Sequence, residues 1–245
     1  FAAFLIFSAL ALAGLAWHFR REPVGWMFGL SAAIGVGAAV LTQSRGGLLG
    51  LVAGMAVFAV AAVPMMPRQW RLPMFGLGGL GAALAVLAVV QVAPWQIRLQ
   101  DVTSANWAER EREAHWSAAW QMFLAHPWFG VGAGAFNDRF RQYTTDWHFR
   151  IPRGHAHNAY LQMAATAGLA ATMLYLGLLA IMGRRLIQRA SDHVWNGIAL
   201  GTLAATAALA IHGVFDYLHV LSLGLLFAGM WACALGVREK DQPGT

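Results

Sequence analysis

His155-Ala156-His157-Asn158-Ala159-Tyr160-Leu161-Gln162 stands where the longest polar segment of the chain gives way to apolar sequence. The charge-free run that begins here covers 158–183, longer than the ~20 apolar residues a helix needs to cross a hydrocarbon core. The polar octet therefore sits at the mouth of a membrane helix. Ionisable groups are costly to keep there and are retained where they bind or react.

Working outward, six more charge-free runs appear, at 1–17, 23–44, 46–67, 72–97, 194–211 and 220–237. The composition agrees: 58% of the 245 residues are hydrophobic and 11% charged, against about a quarter charged in a soluble domain. The expected fold class is all-α, a polytopic membrane protein with about seven transmembrane helices. Helices 1–4 would lie in 1–97, a long loop in 98–156, helices 5–7 in 157–237, and a tail in 238–245. Because the chain starts at Phe1 in mid-run, it is expected to be the C-terminal part of a longer protein. Phe1–Trp17 has no basic leader and is followed by more runs, so it reads as a span and not a signal peptide.

The net charge of +6 is almost wholly arginine, Lys240 being the only lysine. In a membrane protein this surplus needs no nucleic acid; the positive-inside bias, plus an anionic substrate, accounts for it. Basic residues cluster at Arg20–Arg21, Arg68–Arg71, Arg184–Arg189 and Arg238–Lys240, which are alternate connections. That side is expected to be cytoplasmic. The opposite side receives Thr42–Gly47, the segment 98–156 and the turn His212–His219. The single cysteine, Cys233, lies in an apolar run and implies neither a disulfide framework nor a metal cluster.

The segment 98–156 is too long for a passive connector. Asn106–Ala125 reads as an amphipathic helix, with Trp116, Trp120, Phe123 and Leu124 at helical spacing. Pro127 ends it. The stretch Pro127–Phe136 is punctuated by Gly130, Gly132 and Gly134 between aromatics, which suits tight turns at a membrane interface. No βαβ pattern surrounds these glycines, so they are no dinucleotide fingerprint. Asn137–Gly154 reads as loop and short helix.

Several residues are candidates for chemistry. Arg45, in Ser44-Arg45-Gly46-Gly47, is either a charge snorkelling to the interface or an anion clamp, whose following glycines would let a phosphate approach. Arg112, in Glu109-Arg110-Glu111-Arg112-Glu113, is either part of a solvated helix start or a second guanidinium for a diphosphate. His155 and His157 read as helix-capping histidines or as holding a general base, a task neutral imidazole performs near physiological pH. Arg150 and Arg153 would help keep such a base neutral. Asn158 and Gln162 lie four apart and are expected to orient the base or hold a sugar. Asp216 is the only acid in its turn, and is expected to pair with an arginine across the bundle or to touch the acceptor. Although His115, His126 and His148 are near in sequence, there is no HExxH, paired cysteine or carboxylate at ligand spacing, and no metal is expected.

Taken together, Arg45-Gly46-Gly47, Arg112-x-x-x-Trp116, His126-Pro127-Trp128-Phe129-Gly130-Val131-Gly132, His155-x-His157-Asn158-x-Tyr160-Leu161-Gln162 and then Gly168 resemble the O-antigen ligase/polymerase superfamily of bacterial envelope enzymes. The resemblance covers roughly 30–180. It implies a GT-C type glycosyltransferase of the inner membrane, with its site facing the periplasm. It implies transfer of a glycan from undecaprenyl diphosphate to a lipid A-core sugar, to another carrier-linked glycan, or to a protein hydroxyl. It implies no cofactor and no metal at the reaction centre. By motif, His157 matches the catalytic base, and Arg45 and Arg112 match the arginines that hold the diphosphate. His155, Asn158, Gln162, Arg110, Arg153 and Asp216 are expected to support the site or position the acceptor. A rival reading from another class is a transporter of lipid-linked glycans, which would use the same arginines without a base.

Overall fold

The computed structural model describes residues 1–69, 71, 102–144, 147–149, 154–191, 196–217 and 222–236. The run 72–97 expected to form the fourth span lies outside the described residues, as do Arg150 and Arg153. The described residues form eight α-helices: α1 (Ala2–His18), α2 (Pro23–Leu41), α3 (Arg45–Ala62), α4 (Val102–Ala125), α5 (Phe136–Tyr143), α6 (Ala159–Ala190), α7 (Asn196–His212) and α8 (Ser222–Leu235). Short 3-10 turns follow α3 at Val63–Met65 and lie at Trp147–Phe149.

The chain is a membrane protein with several apolar helices. Pro23–Leu41, Arg45–Met65 and Ala159–Ala190 are long and apolar enough to cross a bilayer, and α1, α7 and Leu223–Leu235 are shorter apolar helices. Their outer faces carry the hydrophobic residues that a soluble protein would hide. Trp26, Met27, Leu30 and Ile34 run exposed along α2, and Leu174, Ile181 and Ile187 along α6. A continuous apolar surface of this kind is stable against lipid and not against water.

Helix α7 is the centre of the bundle. Leu200, Ala204, Ala205 and Ala208 are fully buried, and α7 packs on α1, α3, α6 and α8. Lipid tails are as apolar as leucine, so tight packing between small residues drives such contacts. A methyl group at Gly14 of α1 would stand 2.5 Å from the Gly197 carbonyl and 2.7 Å from the Gly201 Cα. One at Gly54 of α3 would stand 2.8 Å from the Ala204 carbonyl. These glycines let three backbones approach where side chains would hold them apart. Phe7, Leu10, Leu51, Leu209 and Phe227 fill the space around the crossing.

Helix α4 forms a second, smaller core. Ala114, His115, Ala118, Ala119 and Met122 are buried, against Phe136 and Phe140 of α5 and Ala165 of α6, while Trp120 and Leu124 of the aromatic stripe are exposed. Alanines admit the close approach of α5 and α6, and the bulky aromatics are left to the outside. The helix also starts earlier than expected, at Val102.

The glycine-punctuated stretch after α4 is a wedge in α6. Gly168 breaks the α6 helix with φ 77° and ψ −174°, a conformation open essentially to glycine alone. The backbone groups freed at the break are satisfied by the wedge. The N–H groups of Val131 and Gly132 donate to the carbonyls of Ala165 (2.8 Å) and Thr166 (3.1 Å), and the Leu169 N–H donates to the Pro127 carbonyl (2.7 Å). Unpaired backbone in hydrocarbon is costly, so a broken helix persists only with such partners. The wedge ties α4 to the beginning of α6, and with it to the His155–Gln162 segment.

Candidate active site

The loop before α6 is held from several sides. Asn158 is the N-cap of α6, its side-chain oxygen accepting from the N–H groups of Tyr160 (3.0 Å) and Leu161 (2.9 Å). Gln162 reaches back one turn, where its Oε1 accepts from the Ala156 N–H at 2.8 Å. The Ala159 N–H donates to the Gly213 carbonyl (2.7 Å) and the Tyr160 hydroxyl to the Ala210 carbonyl (2.7 Å). The last two bonds fasten the start of α6 to the end of α7. The polar residues Asn158 and Gln162 are thus buried and engaged with backbone, fixing the loop that presents the histidines.

His157 itself has φ 50°, the left-handed region that a non-glycine residue occupies at a cost of about 1–3 kcal/mol. Its neighbours hold it there. Its N–H donates to His155 Nδ1 (3.2 Å), and Trp116 Nε1–H donates to its carbonyl (3.4 Å). This backbone turn brings the two imidazoles together, ring centroids 4.4 Å apart. Beneath them lies His115, fully buried, its ring 5.8 Å from that of His157 and its Nδ1–H donating to the Glu111 carbonyl at 2.7 Å.

Asp216 does not pair with an arginine as expected. It meets His157, with Oδ1 3.5 Å from His157 Nδ1, and it accepts from the Tyr217 N–H at 2.8 Å. The reason is the turn after α7: the N–H groups of Phe215 and Asp216 both donate to the His212 carbonyl, curling the chain back over the start of α6. Burial alone would raise the Asp216 pKa, but the His157 side chain, the Tyr217 N–H and the charge of nearby imidazoles hold it at about 2. For His155, burial is the first cause of a lowered pKa, reinforced by His157 and His115 and opposed by Asp216. His155 is therefore favoured in its neutral form.

The sign for Asp216 follows directly. Its folded pKa lies below the ordinary 3.8, so it contributes stability that is present above about pH 4 and is lost as pH falls through the folded value. Thermal midpoints of the wild type and Asp216→Asn in detergent are expected to differ most near neutrality. The gap should narrow as pH is lowered from 5 to about 3; a gap independent of pH would contradict the ion pair.

The two arginines belong to different elements that border this cluster. Arg112 lies one helical turn before His115 and Trp116, which both contact His157, and i, i+3 and i+4 positions share a helix face. Arg45 is the first residue of α3, beside the Asp216 turn: a Cβ at Gly46 would stand 2.6 Å from Phe215 and 3.3 Å from the His212 ring. Arg110 lies over the rings of Trp107 (5.7 Å) and Phe149 (6.0 Å). A cavity of about 750 Å³ opens next to the pair, lined by Thr42, Ser44, His155, His212, Asp216 and Tyr217 together with apolar residues that include Phe1, Ala38, Leu41 and Leu223. A lining of both kinds suits an amphiphile.

Residues 30–176 match the family model described as O-antigen ligase. The chain belongs to the O-antigen ligase family. That family performs glycan transfer of the O-antigen ligase/polymerase type, so this member is a glycosyltransferase-like membrane enzyme. No curated protein matches the chain. Within the matched region lie Arg45, Arg112, the wedge Pro127–Gly132, His157 and the Gly168 break; Asp216 lies beyond it. Sequence reading did not place His115, Trp116 or Asp216 beside His157. For His115 the available signal is its place three residues after Arg112. For Asp216 it is an acid kept in an otherwise uncharged turn.

Proposed function

We propose that this chain moves a glycan from undecaprenyl diphosphate to a sugar hydroxyl of a lipid A core. In this reading it spans the bacterial inner membrane about seven times and works at the periplasmic face. His157 is the general base, and Arg45 and Arg112 grip the diphosphate. The observation that carries the reading is the His157 Nδ1–Asp216 Oδ1 approach of 3.5 Å.

A carboxylate at Nδ1 keeps that nitrogen protonated and leaves the lone pair of Nε2 for a substrate proton, the logic by which an aspartate orients a catalytic histidine. The acceptor hydroxyl gives its proton to Nε2 as its oxygen attacks the anomeric carbon. The bond from that carbon to the diphosphate oxygen breaks, and the electron pair leaves with the diphosphate. Fixed guanidiniums meet the charge that develops there. Attack opposite the leaving group inverts the anomeric configuration. The cavity supports the same reading, since its lining combines His155 and Asp216 with apolar residues suited to an isoprenoid. Polymerase and protein oligosaccharyltransferase activities would use the same chemistry with another acceptor.

The decisive assay supplies carrier-linked glycan with three acceptors in turn: a lipid A core, a second carrier-linked glycan and a pilin-like protein. The lipid A core is expected to be modified, and exclusive modification of either other acceptor would replace the ligase reading. In the same assay Arg45→Ala and Arg112→Ala are expected to raise the donor concentration needed for half-maximal rate. Unchanged donor affinity in both would remove the clamp.

A further inference from the structure

The pair that serves the base has a third member whose use the transfer reaction leaves open. His155, His157 and Asp216 each offer one ligand atom, and these atoms all lie within 4.8 Å of one another. Sequence spacing hides this set, because the carboxylate comes from the far end of α7. We propose that these three residues form an inhibitory site for a borderline transition-metal ion of the zinc class, and that the ion silences the enzyme by changing the tautomer of His157.

The geometry suits such an ion. Tetrahedral zinc, with bonds of ~2.0–2.1 Å, sets neighbouring donor atoms about 3.4 Å apart. His157 Nδ1 and Asp216 Oδ1 are 3.5 Å apart, close to the edge of a zinc tetrahedron. Both side chains are reachable from outside, 29% and 43% exposed. His155 joins by giving up the 3.2 Å hydrogen bond from the His157 N–H. Two imidazoles and one carboxylate favour zinc, cobalt, nickel or copper over magnesium or calcium, which prefer oxygen cages. Three protein ligands leave the fourth position to water.

Inhibition rests on His157 being the base as proposed above. In the active form the ring holds its proton on Nδ1, facing Asp216, and keeps Nε2 free. An ion taking the Nδ1 lone pair moves that proton to Nε2. No proton need leave the ring, but the nitrogen that would accept the hydroxyl proton is now occupied. Zinc therefore acts on the base without needing to displace either substrate.

The test uses the purified full chain in detergent, with zinc chloride in calorimetry and cobalt chloride as a spectroscopic probe. One high-affinity ion per chain is expected, with cobalt showing the intense visible bands of low coordination. His155→Ala and Asp216→Asn should each weaken binding by about tenfold or more, while His148→Ala should not. Zinc should inhibit glycan transfer by the wild type, a chelator should restore it, and magnesium should have no effect. No zinc binding by the wild type, or binding that neither substitution weakens, overturns the site. Binding at these residues without inhibition overturns the tautomer mechanism and the assignment of His157 as base, and leaves the metal site standing.

Discussion

Replacing His157 by alanine is expected to slow glycan transfer by about 10²–10⁴-fold, the usual worth of a positioned base, while donor lipid still binds. The expectation comes from the division of labour around the loop. Nothing that His157 contacts through its ring is an α6 cap or a wedge contact; those belong to Asn158, Gln162 and the Pro127–Gly132 stretch. The substitution therefore removes chemistry and leaves the frame. The ring contacts it removes are those with His155, His115 and Asp216. Asp216→Asn should also lose rate, because an amide can offer its N–H to Nδ1 and so favour the tautomer with the proton on Nε2. Rates measured with purified variants and a saturating donor separate this from a binding defect. Transfer by His157→Ala at the wild-type rate would end the base assignment. Because a transporter of lipid-linked glycans needs no base, the same experiment decides between the two classes.

Gly168→Ala is expected to be strongly destabilising for a single added methyl group. A Cβ at that position would lie 2.3 Å from both the carbonyl carbon and the oxygen of Trp128, and 2.5 Å from the Phe129 nitrogen. These are backbone atoms of the wedge and cannot swing aside. The backbone there also has φ 77°, which alanine resists. Strain of about 1–3 kcal/mol and overpacking of about 1–3 kcal/mol act together. The wedge must then leave α6, and the hydrogen bonds from Val131, Gly132 and Leu169 go with it. A thermal midpoint in detergent well below that of the wild type is expected, together with loss of transfer. Gly177→Ala is the matched control: it lies in the same helix, and a Cβ there meets nothing within 4 Å. Equal melting of Gly168→Ala and Gly177→Ala would show that the wedge does not hold α6.

These two residues also mark how far the sequence can be read. The apolar helices are legible because lipid demands long uncharged runs, and that demand is met locally, residue by residue. The histidine pair is legible because polar groups at a helix mouth stand out against such runs. His157 and Gly168 were both reachable from motif resemblance, yet Gly168 carried no stated reason until the wedge supplied one. The amphipathic helix α4 was legible, but not which face packs inward: the alanine face permits the close approach of α5 and α6. Of the two readings open for Asp216, the arginine partner gives way to His157, because nothing local reveals how a turn curls.

The amino-acid sequence by itself determined an all-helical membrane chain, its family, and the residue types that suit diphosphate and hydroxyl chemistry. Those follow from hydropathy and local motif, which act over a few turns of chain. Only the tertiary structure decided that Asp216 faces His157, that His115 and Trp116 lie beneath it, and that His155 completes a set of three donors. Each of these depends on where α4, α6 and α7 cross, and the crossings are set by small residues that let backbones meet: Gly14, Gly197 and Gly201 in the bundle, Gly130 and Gly168 at the wedge. Glycines four apart, such as Gly197 and Gly201, mark a face that can pack closely, but which distant segment meets that face is not written in local spacing.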